Sequence, residues 1–119
     1  MNLLLLVLLV ISRLPELKIK KSVLYKNPKY YEIAFSFRKI PQEVDFFELA
    51  IKKFSKIKVR KVFELASGNS PYLEEWHKRG YRYYGLDLNK EMLDFVKKRA
   101  KEKNVDVELF QRDMNDFSL

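Results

Sequence analysis

Apolar and polar positions follow two rhythms along this chain, one near 3.6 residues and one of short apolar runs, and together they predict an ordered set of elements. Pro41 opens a stretch in which Val44, Phe47, Ala50, Ile51, Phe54 and Ile57 recur at helical spacing, which predicts an amphipathic helix laid over one face of a sheet. Arg60 to Ala66 is a short apolar run suited to a buried parallel strand. Ser67 to Ser70 supplies turn chemistry and N-cap oxygens before a short helix with Pro71 in its first turn, and that helix ends near His77-Lys78-Arg79-Gly80. Tyr81 to Leu86 reads as a second strand. Asn89 then caps a helix to about Lys103, with Met92, Leu93, Val96 and Ala100 on one core stripe and Lys97, Lys98, Lys101 and Lys103 mostly outside. Asn104 ends it. Val105 to Phe110 alternates Val105, Val107 and Leu109 against Asp106 and Glu108, a third strand with one wetter face. A strand–helix–strand unit of this length crosses over right-handed, so its strands lie parallel with both loop ends on one edge. Ligands of such sheets bind at that edge.

The N-terminal stretch has no such rhythm. Met1 to Ile11 is nearly all leucine and valine, about half of the ~20 residues a membrane-spanning helix needs, so no membrane span is expected. No basic residue precedes the run, and Ser12-Arg13-Leu14-Pro15 rather than a small-residue cleavage site follows it. Three readings stand: a packed helix or strand, a partner-binding segment, or an extension upstream of the domain. Residues 1–24 are accordingly set apart as an apolar extension and polar linker, and residues 25–119 as one domain.

All three glycines, Gly68, Gly80 and Gly85, fall between Val62 and Asp87, and a chain this poor in glycine spends each one on backbone geometry. Glu64-Leu65-Ala66-Ser67-Gly68-Asn69-Ser70 resembles the first motif of class I S-adenosylmethionine-dependent methyltransferases, an acidic residue followed by a glycine-rich loop. Gly85-Leu86-Asp87-Leu88-Asn89-Lys90-Glu91-Met92-Leu93 is similar to their second motif, and Gln111-Arg112-Asp113-Met114-Asn115-Asp116-Phe117 to their third. The family usually carries glycine where Ala66 and Ser70 stand. Pro28 to Phe35 resembles the tyrosine-bearing segment that precedes the core and lids cofactor or substrate in such enzymes, which makes Tyr31 a candidate contact; packing on the sheet is its plainer role.

The resemblance implies a partial α/β, Rossmann-like methyltransferase fold: three parallel strands with flanking helices, plus N-terminal helices. It implies S-adenosyl-L-methionine as cofactor, and the charges agree. A sulfonium and an ammonium suit Glu64 at the loop edge, directly or through water, whereas the pyrophosphate of a dinucleotide does not suit a carboxylate beside a helix N-terminus. Gly68-Asn69-Ser70-Pro71-Tyr72-Leu73 also keeps only the first glycine of the dinucleotide fingerprint. Asp87, at the end of the second strand, is placed to accept both ribose hydroxyls. By resemblance Asp113 accepts from the adenine amino group and Met114 offers a backbone amide, while Leu88 and Met92 sandwich the purine. Ala66, Gly68 and Ser70 form the cofactor loop. Each acid also has a structural role open to it, Glu64 pairing with a lysine and Asp87 capping the helix after it.

Composition narrows the rest. The chain has 119 residues, 47% of them hydrophobic, enough for one domain with a modest core. It has no cysteine and one histidine, which leaves no disulfide framework, thiolate metal site or histidine cluster; a reducing cytoplasm is the default location. Abundant Lys and Glu suit a thermophile. The net charge of +8 and the cluster Lys52, Lys53, Lys56, Lys58, Arg60, Lys61 read either as attraction for RNA or another anion or as a solvated helix face. No aromatic-interleaved basic motif of the RNA modules is present.

In the family the strand order is 3-2-1-4-5-7-6, and the motifs here account for the first three strands. The expected molecule is therefore the cofactor-binding half of a methyltransferase, its methyl acceptor unassigned. The alternatives are a non-catalytic adenosyl-ligand binder, an interaction subunit, or a product inactive without a partner chain. The first of these strands would present a bare edge, which proteins seldom leave uncovered. The N-terminal apolar segment, a second copy of the chain, or a complementary chain is expected to cover it.

Overall fold

The expected succession of strand, helix, strand, helix, strand is present from Lys61 to Gln111 in a computed structural model, which describes residues 3–7, 26–34 and 36–118 apart from the side chains of residues 3–7, 30, 31 and 34. The described elements are β1 (Leu3–Val7), α1 (Pro28–Ala34), α2 (Ile40–Phe54), β2 (Lys61–Leu65), α3 (Leu73–Lys78), β3 (Arg82–Asp87), α4 (Lys90–Glu102) and β4 (Glu108–Gln111). All four strands are parallel, in the order β1-β2-β3-β4. Three of these strands are those expected. The fourth, β1, lies along the outer edge of β2 in the register Leu3 with Lys61 to Val7 with Leu65, so the N-terminal segment covers the edge that the motifs alone left bare.

Alternation along the strands divides the core in two. Val62 and Tyr83 join Val44, Tyr72, Leu73, Trp76, Val96 and Ala100 under helices α2, α3 and α4. Phe63, Leu65 and Leu86 face the other way, with Tyr84 and Phe117 packed against them. On the first side Phe47 stacks on Trp76 at 6.3 Å between centroids and meets Tyr72 edge-on at 5.5 Å. Arg79 ties α3 to α2 through Glu48 at 2.5 Å and Asp45 at 2.8 Å.

The stripe Met92, Leu93, Val96 and Ala100 is buried as its spacing predicts. Asn89 caps α4 by accepting from the Met92 amide at 3.2 Å, and Asn104, with φ 54°, turns the chain out of it. Two expectations need correction. On α2 only Val44 is fully buried, with Phe47 and Ile51 half-buried and Phe54 exposed, and Ile57 lies exposed beyond its end; α3, just six residues long, meets α2 at Asp45, Phe47 and Glu48. Nor do Ser67 to Ser70 provide a side-chain N-cap for α3: Tyr72 occupies that position without a capping bond. Ser70 instead sits at positive φ and offers its backbone carbonyl to the Leu73 amide at 3.2 Å.

Candidate functional site

The first loop, between β2 and α3, is built on three left-handed residues. Ala66 has φ 52°, Gly68 φ 53° and Ser70 φ 49°. Only Gly68 adopts this conformation without steric cost; for the other two it costs about 1 kcal/mol each. The positions usually filled by glycine in the family thus keep a glycine-type backbone although the side chains have changed. Tertiary bonds hold them there. The Ser67 amide donates to the Leu86 carbonyl at 2.9 Å and the Ser70 amide to the Ser67 carbonyl at 2.8 Å. Gly85 lies beneath this turn for a steric reason: a Cβ there would stand 2.9 Å from both Leu109 Cδ2 and Ser67 Oγ.

Asp87 is the hub that joins the three loops at the carboxyl edge of the sheet. Its Oδ2 accepts from the Gly68 amide at 2.8 Å and its Oδ1 from the Asn89 amide at 2.8 Å. Its backbone carbonyl accepts from the Arg112 amide at 3.3 Å, and Gln111 donates to the Leu88 carbonyl at 3.3 Å. The helix cap belongs to Asn89, so Asp87 is not needed for that purpose. A carboxylate oxygen has two lone-pair sites, and each oxygen of Asp87 has one of them engaged by an amide bond.

Glu64 lies behind the loop, fully buried, and Tyr83 donates to its Oε2 at 2.7 Å. Burial pushes its carboxyl up from 4.5 to about 8, against the lowering influence of the Tyr83 bond and of Arg38. At neutral pH the ligand-free carboxyl is therefore mostly protonated. Among the described residues its Oε1 has no hydrogen-bond partner, and neither do the buried Ser67 Oγ, Asn69 Oδ1 and Ser70 Oγ. Four buried polar atoms without partners in one seven-residue stretch are unusual, because proteins satisfy nearly all such groups through protein, water or ligand.

The remaining candidates separate by exposure. Leu88 and Met114 are 64% and 46% exposed at the carboxyl edge, where an apolar ligand surface can reach them. Met92 is 1% exposed and belongs to the core. Asp113 is exposed, its Oδ1 accepting from the Asn115 amide at 2.8 Å. Tyr31 falls in α1, but its side chain lies outside the described residues. The structure thus brings Ala66, Gly68, Ser70 and Asp87 together and sets Leu88, Asp113 and Met114 along the same edge. Reasoning from sequence missed the Tyr83 hydroxyl as the partner of Glu64, since Tyr83 reads simply as a strand aromatic. It also missed Arg99, considered below.

A cavity of about 250 Å³ lies behind the first loop, lined by Asn69, Pro71, Glu74 and Arg99 on one side and Ser36 and Arg38 on the other. Larger concavities, about 490 Å³ each, lie at the amino edge of the sheet and against α2 and include none of the candidate residues. Among the described residues no helix is long and apolar enough to cross a membrane, and no group of three His, Cys, Asp or Glu side chains is placed to hold a metal ion.

Residues 62–119 match the family described as "Methyltransferase domain". No curated protein matches the chain by sequence. Among solved structures, an S-adenosylmethionine-dependent methyltransferase from Clostridium acetobutylicum superposes with a TM-score of 0.61 at 16% identity, covering 76% of this chain and 36% of that one. CalS10, an amino pentose methyltransferase from Micromonospora echinaspora solved with S-adenosylmethionine bound, gives 0.60 at 20% identity over 90% of this chain and 40% of its own. DesVI from Streptomyces venezuelae gives 0.59 at 23% identity over 87% and 40%. The chain spans about two fifths of the length of these structures, and the likeness is one of fold.

Proposed function

From the match of residues 62–119 to the methyltransferase-domain family, we propose that this chain belongs with the class I S-adenosylmethionine-dependent methyltransferases and binds S-adenosylmethionine at the carboxyl edge of its sheet as the cofactor portion of a methyltransferase. The observation that carries the reading is the 2.8 Å bond from the Gly68 amide to Asp87 Oδ2, which lays a left-handed loop against an acid at the edge where such sheets take ligands. The unpartnered polar atoms of Glu64, Ser67, Asn69 and Ser70 fit a ligand or ordered water that satisfies them.

Bound there, S-adenosylmethionine supplies an electrophilic methyl group on its sulfonium. In this reading Asp87 accepts the ribose hydroxyls with its remaining lone pairs, and Leu88 and the Asp113-Met114 stretch receive the adenine. Met92 supports that wall from within the core. Ala66, Gly68 and Ser70 let the backbone approach the methionine end, and Glu64 acts on its ammonium through the loop or a buried water. Tyr31, on α1, is the further candidate contact that the resemblance supplies. The chain's own part in catalysis is to position the cofactor.

The unit doing this is residues 25–119, with 1–24 as an extension that lends β1 to the sheet, in a thermophile's cytoplasm. Because the chain spans about two fifths of the structures it resembles, methyl transfer calls for further strands. Without them the chain is a cofactor binder. The basic surface at Lys52 to Lys61 leaves nucleic acid as a weaker candidate for the acceptor. The test is a calorimetric competition on the full chain: S-adenosylmethionine and S-adenosylhomocysteine are expected to bind more tightly than NAD, and equal or tighter binding of NAD overturns the assignment.

A further inference from the structure

We propose that Arg99, on α4, is the positioning residue that holds the cofactor loop in its left-handed form; its bearing on affinity rests on the cofactor reading above, and its hold on the loop does not. The side chain is 14% exposed and reaches from α4 to the back of the loop. Nη1 donates to the Asn69 carbonyl at 2.8 Å, Nη2 to the Ser70 carbonyl at 2.7 Å, and Nε to Glu74 Oε1 at 2.6 Å. Successive carbonyls are thus drawn to the same side. Because a trans peptide points its N–H opposite to its C=O, holding the Asn69 carbonyl turns the Ser70 amide toward the Ser67 carbonyl, where it bonds at 2.8 Å. Asp87 grips the Gly68 amide from the front. Arg99 closes the turn from behind.

Packing alone does not enforce this. The cavity of about 250 Å³ is lined by Arg99 and by Asn69 and Pro71, the residues that flank Ser70, so an unclamped loop has open space beside it. Only arginine among side chains offers a planar fork able to bond two adjacent carbonyls and a carboxylate at once; lysine keeps the charge and loses the fork. Glu74 has a separate role: it holds the guanidinium and ties α3 to α4, with Lys103 also on it at 3.4 Å. Nothing in the spacing of Arg99 marks it out, since its neighbours on the polar side of α4 are solvated lysines.

Four variants of the full chain test the proposal: Arg99→Lys, Arg99→Gln, Glu74→Gln, and Arg99→Lys combined with Ser70→Gly. Two readouts apply, exchange of the Ser70 amide in the ligand-free chain and the affinity for S-adenosylmethionine. Both arginine variants are expected to speed Ser70 exchange and weaken binding by about tenfold or more. Glu74→Gln is expected to change either by less than about threefold. The double variant should recover binding toward the parent value, because glycine takes positive φ unaided. If Arg99→Lys behaves like the parent, charge suffices and the clamp is wrong. If Glu74→Gln matches the arginine variants, or glycine fails to rescue, Arg99 is only a tie between helices. A parent chain that does not bind S-adenosylmethionine removes the cofactor reading but not this one, which then stands or falls on Ser70 exchange in Arg99→Lys.

Discussion

The loop after β2 and the loop after β4 stand on the same edge of the same sheet, yet they are held by different forces. The first is buried: Ser67, Asn69 and Ser70 are almost fully enclosed, three residues take positive φ, and the bonds that fix it come from Leu86, Asp87 and Arg99. The second, Arg112 to Phe117, is exposed over most of its length and bonds mainly to itself, through the Asp113 carboxylate to Asn115 and the Asp113 carbonyl to the Asp116 amide at 3.0 Å. Phe117, stacked on Phe63 at 5.7 Å, anchors its far end. A loop fixed in advance loses little entropy when it receives a ligand, whereas one held by its own short-range bonds is ordered at the ligand's expense. On the proposed cofactor reading, the methionine end of the site is prepared before binding and the adenine end is completed by it.

The largest expected effect breaks the comparison at Glu64, beneath the first loop. Its folded carboxyl titrates near 8 and its unfolded one near 4.5, so between those values the unfolded chain holds fewer protons than the folded one. The stabilising contribution of protonation is full below about pH 4.5 and is lost as pH rises to about 8, a fall on the order of 3–5 kcal/mol. Urea denaturation across that range should show the slope, and Glu64→Gln should flatten it. A parent whose stability does not fall over this window would mean that Glu64 is ionised in the folded chain. A ligand cation reverses the preference, so S-adenosylmethionine is expected to displace a proton on binding at pH 7, measurable as a buffer-dependent heat.

Next comes Asp87, which links the two loops. Asp87→Ala leaves the Gly68 and Asn89 amides without their acceptor and is expected to cost about 1–3 kcal/mol of stability, together with about tenfold to hundredfold in affinity for S-adenosylmethionine. Thermal unfolding and calorimetry on the same preparation check both. A variant as stable and as tight as the parent sinks the assignment of Asp87 as hub, and one that loses only stability sinks its role as ribose acceptor.

The smallest effect sharpens the contrast in strain. Ala66→Gly should relieve a left-handed alanine and raise stability by about 0.5–1 kcal/mol once glycine's greater unfolded entropy is deducted. Asn115→Ala, in the exposed loop, should fall within about 0.5 kcal/mol of the parent. If Ala66→Gly destabilises instead, the first loop carries no strain of the kind its backbone angles indicate.

What the amino-acid sequence determined alone was everything that a window of a few residues can encode. The stripe of Met92, Leu93, Val96 and Ala100, the cap at Asn89, the exit at Asn104 and the order of strands β2, β3 and β4 follow from spacing and side-chain chemistry within each segment, and the motifs then set their acids at strand ends. Tertiary structure decided the rest, because those outcomes depend on partners far along the chain. Leu3 to Val7 has no polar rhythm to say whether it pairs, and it finds β2 more than fifty residues away. Nothing local tells that Glu64 will be sealed in and protonated, since burial is set by Tyr83 and the helices packed over that face. Alanine and serine at 66 and 70 argue by themselves against positive φ; Asp87 and Arg99, 19 and 29 residues from the loop residues they bond, hold the turn in which those conformations occur.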